Sequence, residues 1–134
     1  MEQNQSGGWT TAKLQDVCAQ WQETLRLQDW DVTIRLTRAS EMHGIEVQGE
    51  CGFIYATKEA AIRVLDPQDF DEGLAFGLDV EKVVVHELLH LHFAGWQEKE
   101  PKRACPVVGE QAIDRLAKVL VGLSRAAEDG RNRV

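Results

Sequence analysis

Apolar residues follow two different periods in the first third of the chain. Over about residues 10–28 they recur every three or four positions, which predicts an amphipathic helix that Thr10 or Thr11 could cap. The period then changes to two, which is typical of a half-buried strand. The apolar positions of this first predicted strand are Trp30, Val32, Ile34 and Leu36.

The period of two returns twice before the middle of the chain. Residues 51–55 and 60–64 alternate in the same way, so a second and a third strand are expected, the third ending before Pro67. Residues 37–49 are polar and form a predicted loop. A second loop, with room for one helical turn, is expected over residues 67–78.

The second half of the chain predicts two helices. The first covers about residues 79–94, with Asp79 as N-cap and Gly95 as the C-terminal stop. Residues 96–106 contain two prolines and are expected to form a loop, and residues 107–127 form the last predicted helix. Its expected apolar stripe is Ile113, Leu116, Leu120 and Leu123.

The order of one helix, three strands and two helices predicts an α+β fold. Strands that are grouped before helices favour a small sheet of three to four strands, with the helices packed on one face. A chain of 134 residues is long enough for one core and too short for two ordinary domains. We therefore expect one domain over residues 9–127, between flexible tails at residues 1–8 and 128–134.

Composition excludes several classes of protein. The chain is 43% hydrophobic and 28% charged, as in globular domains, and it contains no apolar run long enough to span a membrane. A net charge of −7 argues against a nucleic-acid partner. The N-terminus lacks the features of a signal peptide, so a cytoplasmic location is expected. The three cysteines, Cys18, Cys51 and Cys105, predict two buried thiols and one loop thiol rather than a disulfide framework.

Residues 86–90 read His-Glu-Leu-Leu-His, the H-E-x-x-H pattern of many zinc enzymes. On a helix, His86 and His90 lie one turn apart on one face, so both imidazoles can bind one ion. Glu87 lies about 100° from His86, where a carboxylate could accept a proton from a metal-activated water. The alternative is an ordinary amphipathic helix with polar residues, but unpaired polar groups are costly in a stretch this hydrophobic.

A zinc site of this type needs a third protein ligand. His92 is an unsuitable candidate because it lies about 200° around the helix from His90, and a core or capping histidine is the better interpretation. Glu110 and Asp114, one turn apart, are two carboxylates close to the apolar face of the last helix. The alternative, acidic residues that suit the first turn of a helix, fits Glu110 but not Asp114. We expect Glu110 to be the ligand and Asp114 to accept a hydrogen bond from a ligand histidine.

At these residues the chain resembles the gluzincins, zinc metallopeptidases that combine H-E-x-x-H with a glutamate on a later helix and often an aspartate one turn beyond. The matching stretches are residues 86–90 and 109–114. The resemblance covers about residues 30–125 and is closest to minimal zincin-like proteins of bacteria and phages. It implies a zincin-like fold, one Zn²⁺ per chain, and a peptide or protein substrate bound along an edge strand, expected near residues 60–65.

The resemblance also leaves one role without a clear residue. Gluzincins use a downstream His or Tyr to stabilise the oxyanion, and this chain has neither after Glu110. Tyr55 and His43 are the remaining candidates, although a packed aromatic and a solvated loop histidine are the simpler interpretations. We therefore expect a zinc metallopeptidase with Glu87 as general base. The alternatives are a zinc-binding peptide-recognition module with little turnover and an interaction domain without metal.

Overall fold

The computed structural model of the chain describes residues 8–44, 47–70, 77–99 and 106–132. Expectations for the remaining residues, including most of the N-terminal tail and Cys105, lie outside the described residues. The α+β class and the order of one helix, three strands and two helices are confirmed. The elements are α1 (Thr11–Thr24), β1 (Asp31–Thr37), β2 (Gly49–Ile54), β3 (Glu59–Leu65), α2 (Val80–Lys99) and α3 (Pro106–Asn132), with 3₁₀ turns at Ala39–Glu41 and Pro67–Asp69.

The three strands form one sheet in the order β1-β3-β2. β1 pairs with β3 in parallel, and β2 pairs with β3 in antiparallel orientation. The expectation of an edge strand near residues 60–65 is therefore wrong, because these residues form the central strand. Alternation along a strand shows which face is buried but not which strands lie beside it. β2 lies at an edge of the described sheet, and it packs against α2.

The core lies between one face of the sheet and the helices α1 and α2. In β1 and β3 the buried positions alternate as the sequence predicts, with Ile34, Ile62 and Val64 among them. Of the two caps predicted for α1, Thr10 is the one observed, because its side chain accepts a hydrogen bond from the Lys13 amide. The buried residues of α1 are Leu14, Cys18 and Trp21.

α2 crosses the middle of this core. Asp79 caps it as predicted, since its Oδ1 accepts a hydrogen bond of 3.1 Å from the Lys82 amide. The expected stop at Gly95 is wrong, because the helix continues to Lys99. A Cβ at residue 95 would lie 2.7 Å from Tyr55 Oη, so glycine is needed here for close packing rather than for helix termination. The fully buried residues of α2 are Val84, Val85, Leu88 and Ala94.

α3 is longer than its pattern predicts, and only part of its expected apolar stripe is buried. The helix continues to Asn132, with Arg131 in the last turn, where a positive charge is favourable. Ile113 is buried and Leu120 is partly buried, as expected. Leu116 and Leu123, expected in the core, are 44% and 63% exposed. The buried face follows a strict spacing of four residues, through Ile113, Ala117 and Val121. The large leucines therefore do not identify the buried face of α3, because smaller residues occupy most of the positions that pack against α2.

Two further expectations concern the cysteines and the membrane. Cys18 is buried and Cys51 is partly buried, and both are free thiols. Burial raises the pKa of Cys18 to about 11 and contributes most to a pKa of about 12 for Cys51. Among the described residues, no helix has both the length and the apolar character that crossing a bilayer requires.

Candidate metal centre

His86 and His90 direct their rings to one region on the surface of α2. They lie one helical turn apart, which places both side chains on the same face. Their ring centroids are 5.3 Å apart. The two side chains are only 16% and 18% exposed, so both imidazoles lie partly inside the protein. This helix face therefore holds two nitrogen donors side by side.

α3 brings a carboxylate to the same region. The two helices are antiparallel: Glu110 near the start of α3 lies beside His90, while Arg125 near its end contacts Asp79 before α2. Glu110 Oε2 is 2.9 Å from His86 Nε2, and Oε1 is 2.8 Å from His90 Nε2. The Glu110 side chain is 53% exposed, yet it contacts both rings. The structure thus brings the three predicted ligand residues together.

The donor atoms fit a divalent metal ion. One atom from each of His86, His90 and Glu110 can be chosen so that all three lie within 4.8 Å of one another. Around a tetrahedral zinc ion such atoms are roughly 3.3 Å apart, because bonds of about 2.0–2.1 Å meet at a wide angle. The exposed Glu110 carboxylate would need to move only slightly away from the rings. Two imidazoles and a carboxylate suit zinc but also other divalent metals, so the donor set alone does not choose the ion.

The electrostatic environment favours the protonation states that metal binding requires. Burial lowers the pKa of His90 and so favours the neutral ring, which is the form that binds a metal. Asp114 Oδ1 lies 3.4 Å from His86 Nδ1. Burial raises the pKa of Asp114, but hydrogen bonds from Lys118 and Lys82 outweigh this effect and lower it to about 2. Asp114 is therefore ionised at neutral pH and lies where it can orient His86.

Glu87 lies next to this group but is much less accessible. It is 6% exposed, and its pKa is raised to about 8, mainly by burial and also by the charges of Glu110 and Glu50. Gly49, at the start of β2, packs directly against it. A Cβ at residue 49 would lie 3.1 Å from Glu87 Cγ and 2.6 Å from Val83 Cγ1. Because residue 49 has no side chain, the backbone of the edge strand β2 lies close to the Glu87 carboxyl group.

A cavity of about 230 Å³ lies where the three elements meet. Residues 47–49 line one side, and α2 contributes Lys82 together with the region around His86 and Glu87. Glu110 and Asp114 of α3 complete the lining. Two of the three candidate ligands, His86 and Glu110, and the candidate base therefore border one space that a small molecule or a peptide segment could enter.

His43 lies away from the three ligand residues. Its Nδ1 is 3.1 Å from Glu50 Oε2, and Arg63 contacts the same nitrogen at 3.2 Å. Successive side chains of a strand point to opposite faces, so Glu50 lies on the face opposite that of Gly49. His43 is therefore bound on the side of the sheet that faces away from α2. It is 78% exposed there.

Tyr55 also lies away from the ligands. Its hydroxyl packs against Gly95 on α2, and its ring lies 6.3 Å from the ring of Trp30. Gly95 is about 140° around the helix from His90 and about 180° from His86. Tyr55 therefore contacts a different face of α2. It is a packed aromatic residue, which was the simpler interpretation of its position on the strand.

Sequence reasoning missed two residues of this site. Lys82 precedes His86 by four residues, so the helical spacing that links His86 with His90 could have revealed it. Gly49 gave no such signal, because its role depends on a contact between a strand and a helix far apart in the sequence. By contrast, His92 was interpreted as a core or a capping residue. The structure supports the second alternative, since its Nε2 lies 2.8 Å from the Leu25 carbonyl oxygen just after α1, at an exposed position.

Comparisons with protein-family models, curated proteins and solved structures find no match to this chain. The resemblance to gluzincins therefore depends on the residues themselves. The geometry around His86, His90 and Glu110 can be judged independently of any relative.

Proposed function

We propose that this protein is a zinc-dependent peptidase of the gluzincin type. The observation that carries the proposal is the contact of Glu110 with both histidine rings, next to a buried carboxyl group at residue 87. His86, His90 and Glu110 would hold the ion, and Asp114 would orient His86. Glu87 remains free for acid–base chemistry because it is not one of the three ligands.

The chemistry divides between the ion and the chain. A bound dication would polarise the scissile carbonyl and lower the pKa of the attacking water. Glu87 accepts the proton of that water and transfers it to the leaving amine. Because a nearby cation favours the charged form of a carboxyl group, Glu87 would be ionised, and able to act as a base, when the ligands are occupied.

The edge of β2 that pairs with no other strand of the described sheet supports a peptide substrate. The Leu65 amide donates to the Gln48 carbonyl, and Gly49 is paired with Val64 in the antiparallel ladder. Since hydrogen-bonded and non-hydrogen-bonded pairs alternate in such a ladder, every second residue directs its N–H and C=O away from β3. Those residues are Gly49, Cys51 and Phe53. An extended peptide could add to them as a further strand, beside the candidate metal centre.

A second function is supported by the positions of His43 and Tyr55. Neither lies with the three ligands, and oxyanion donors contribute about 10²–10³ in rate in other hydrolases. A protein with the same ligands but without such a donor would bind zinc and a peptide and turn over slowly. This recognition module is the alternative to the peptidase.

Elemental analysis tests the shared part of both proposals. The protein is purified in a chelator, loaded with zinc and desalted. One equivalent of zinc is expected, and the His90→Ala variant should retain far less. Less than about one-tenth of an equivalent in the wild-type protein would exclude both functions.

The Glu87→Gln variant separates the two functions. It should retain zinc, because Glu87 is not a ligand, and it should lose cleavage of an unstructured protein, which gel electrophoresis and mass spectrometry can follow. Cleavage that is as fast in the variant as in the wild type would show that Glu87 is not the base. If the zinc-loaded wild-type protein binds peptides without cleaving them, the recognition module is correct.

A further inference from the structure

We infer that the cavity beside the metal centre accepts a substrate carboxylate, one or two residues on the C-terminal side of the scissile bond, and that Lys82 binds it. The inference rests on the proposed function, because it names the class of peptide that the site would select. The carboxylate can be the free C-terminus of a peptide or an acidic side chain.

The directions of β2 and α2 determine how an added peptide strand would lie. Gly49 at the start of β2 packs against Val83 and Glu87, while Tyr55 just after its end packs against Gly95. Strand and helix therefore run in the same direction, side by side. An added peptide strand is more stable in antiparallel than in parallel orientation to β2. Its C-terminal part would then lie at the start of β2, beside the first turns of α2.

The cavity lies at the start of β2. Residues 47–49 at the start of β2 line it, together with Lys82 and Val83 from the first turns of α2. It therefore lies on the side where the C-terminal part of the peptide would be. Lys82 is four residues before His86, a rise of about 6 Å along the helix. An extended peptide covers this distance in about two residues, which sets the expected position of the carboxylate.

The Lys82 ammonium group has donors available for a ligand. Among the described residues that line the cavity, Lys82 is the one lysine or arginine, beside the carboxyl groups of Glu87, Glu110 and Asp114. Within the described part of the chain, the ammonium group Nζ donates one hydrogen bond, to Asp114 Oδ1 at 3.2 Å. An ammonium group has three donors, so two remain for a ligand. Lys118 contacts the same Asp114 carboxylate at 2.9 Å, so Asp114 does not depend on Lys82 alone.

The two lysines form a matched pair for an experiment. Both contact Asp114, but Lys82 lines the cavity and is 20% exposed, whereas Lys118 is 62% exposed and is not part of the lining. If Lys82 acted only by neutralising Asp114, the variants Lys82→Gln and Lys118→Gln would change substrate preference in the same way. If Lys82 binds the substrate, only Lys82→Gln changes the preference.

Cleavage mapping provides the first measurement. The zinc-loaded protein digests a mixture of denatured proteins, and the new termini are identified by mass spectrometry. Cuts should be enriched where Asp, Glu or a free C-terminus follows within two residues. Lys82→Gln should abolish the enrichment, Lys118→Gln should retain it, and Lys82→Glu should favour Lys or Arg at these positions. Absent enrichment, or enrichment that survives in Lys82→Gln, overturns the inference while the peptidase proposal remains.

Peptide binding to the Glu87→Gln variant provides a measurement that does not require turnover. Peptides with a free C-terminal carboxylate are compared with their amides, and peptides with an internal Asp with the corresponding Asn peptides. Loss of the recognised carboxylate should weaken binding about tenfold, and the pair that shows the loss identifies the source of the carboxylate. Equal affinities within both pairs overturn the inference alone. If no peptide is bound or cleaved, the inference and the proposed function both fail.

Discussion

Gly49 and Glu87 are packed so closely that no side chain fits between the edge strand and α2. A Cβ at residue 49 would lie 3.1 Å from Glu87 Cγ and 2.6 Å from a Val83 methyl group. Gly49→Ala should therefore lower the free energy of unfolding by about 1–3 kcal/mol, as overpacking in a core does. It should also reduce turnover in molecules that remain folded, because β2 and the candidate base move apart. Urea denaturation and cleavage rates measure the two effects.

Gly52→Ala is the matched control for this variant. Gly52 lies in the same strand, but nothing stands within 4 Å of the position that its Cβ would take. The free energy of unfolding of this control should fall by less than about 0.5 kcal/mol, as is usual for a substitution on the surface. Equal decreases in the free energy of unfolding of the two variants would show that the contact with α2 does not exclude a larger side chain at residue 49.

The raised pKa of Glu87 predicts how the stability of the metal-free protein depends on pH. The pKa of Glu87 is about 8 in the folded chain and has an ordinary value of 4.5 in a solvated one. Between these values the folded state binds more protons, so the free energy of unfolding falls as pH rises from about 4.5 to about 8. The slope due to this residue is at most about 1.4 kcal/mol per pH unit. Denaturation in a chelator at several pH values measures it.

Glu87→Gln should remove this part of the slope and be the more stable protein at pH 8, because glutamine carries no charge to bury. Glu128→Gln, an exposed substitution on α3, is the control and should follow the wild-type curve. Parallel curves for wild type and Glu87→Gln would mean that Glu87 is ionised in the folded metal-free protein at neutral pH.

Asp114 should affect metal affinity although it is not a ligand. Its Oδ1 lies 3.4 Å from His86 Nδ1, so it can fix the orientation of that ring. Asp114→Asn should weaken zinc binding by about 10- to 100-fold, which competition with a fluorescent chelator measures. Asp129→Asn, an exposed position on the same helix, is the control. Unchanged affinity in Asp114→Asn would exclude the orienting role.

The positions of His43 and Tyr55 predict that neither stabilises an oxyanion. His43 is bound to Glu50 on the far face of the sheet, and Tyr55 packs against Gly95. His43→Gln and Tyr55→Phe should therefore keep kcat within about threefold of the wild type. A fall of about 10²-fold or more in either variant would assign it the role of donor. Steady-state kinetics on a peptide substrate decide between these results.

Much of the fold could be predicted from local periodicity, and the errors have a common cause. The order of helices and strands and the caps of α1 and α2 depend on neighbouring residues. The order and the Asp79 cap are predicted correctly, and Thr10 is one of the two caps predicted for α1. The central position of β3 and the continuation of α2 through Gly95 depend on distant partners. Single-sequence patterns carry little information about such partners.

In the candidate site, too, the features set by neighbouring residues could be predicted, and those set by distant partners could not. His86, Glu87 and His90 share one helix, so a spacing in the sequence is enough to group them. Glu110 was predicted because an acidic residue near an apolar helix face needs a partner, and it contacts both rings. The approach of Gly49 to the candidate base could not be predicted, because it requires the order of strands in the sheet.

The antiparallel arrangement of α2 and α3 has a consequence for the motion of the protein. Arg125 fastens one end of α3 to Asp79 through two hydrogen bonds of 2.9 Å, while Glu110 is the contact with the histidines near the other end. An ion held by His86, His90 and Glu110 would be a second link between α3 and α2. Without it, the start of α3, ahead of the buried Ile113, would be held less firmly, so hydrogen exchange at residues 107–112 should accelerate on metal removal more than at residues 122–127. The ion would thus fix the start of α3 to α2 as well as serve the chemistry.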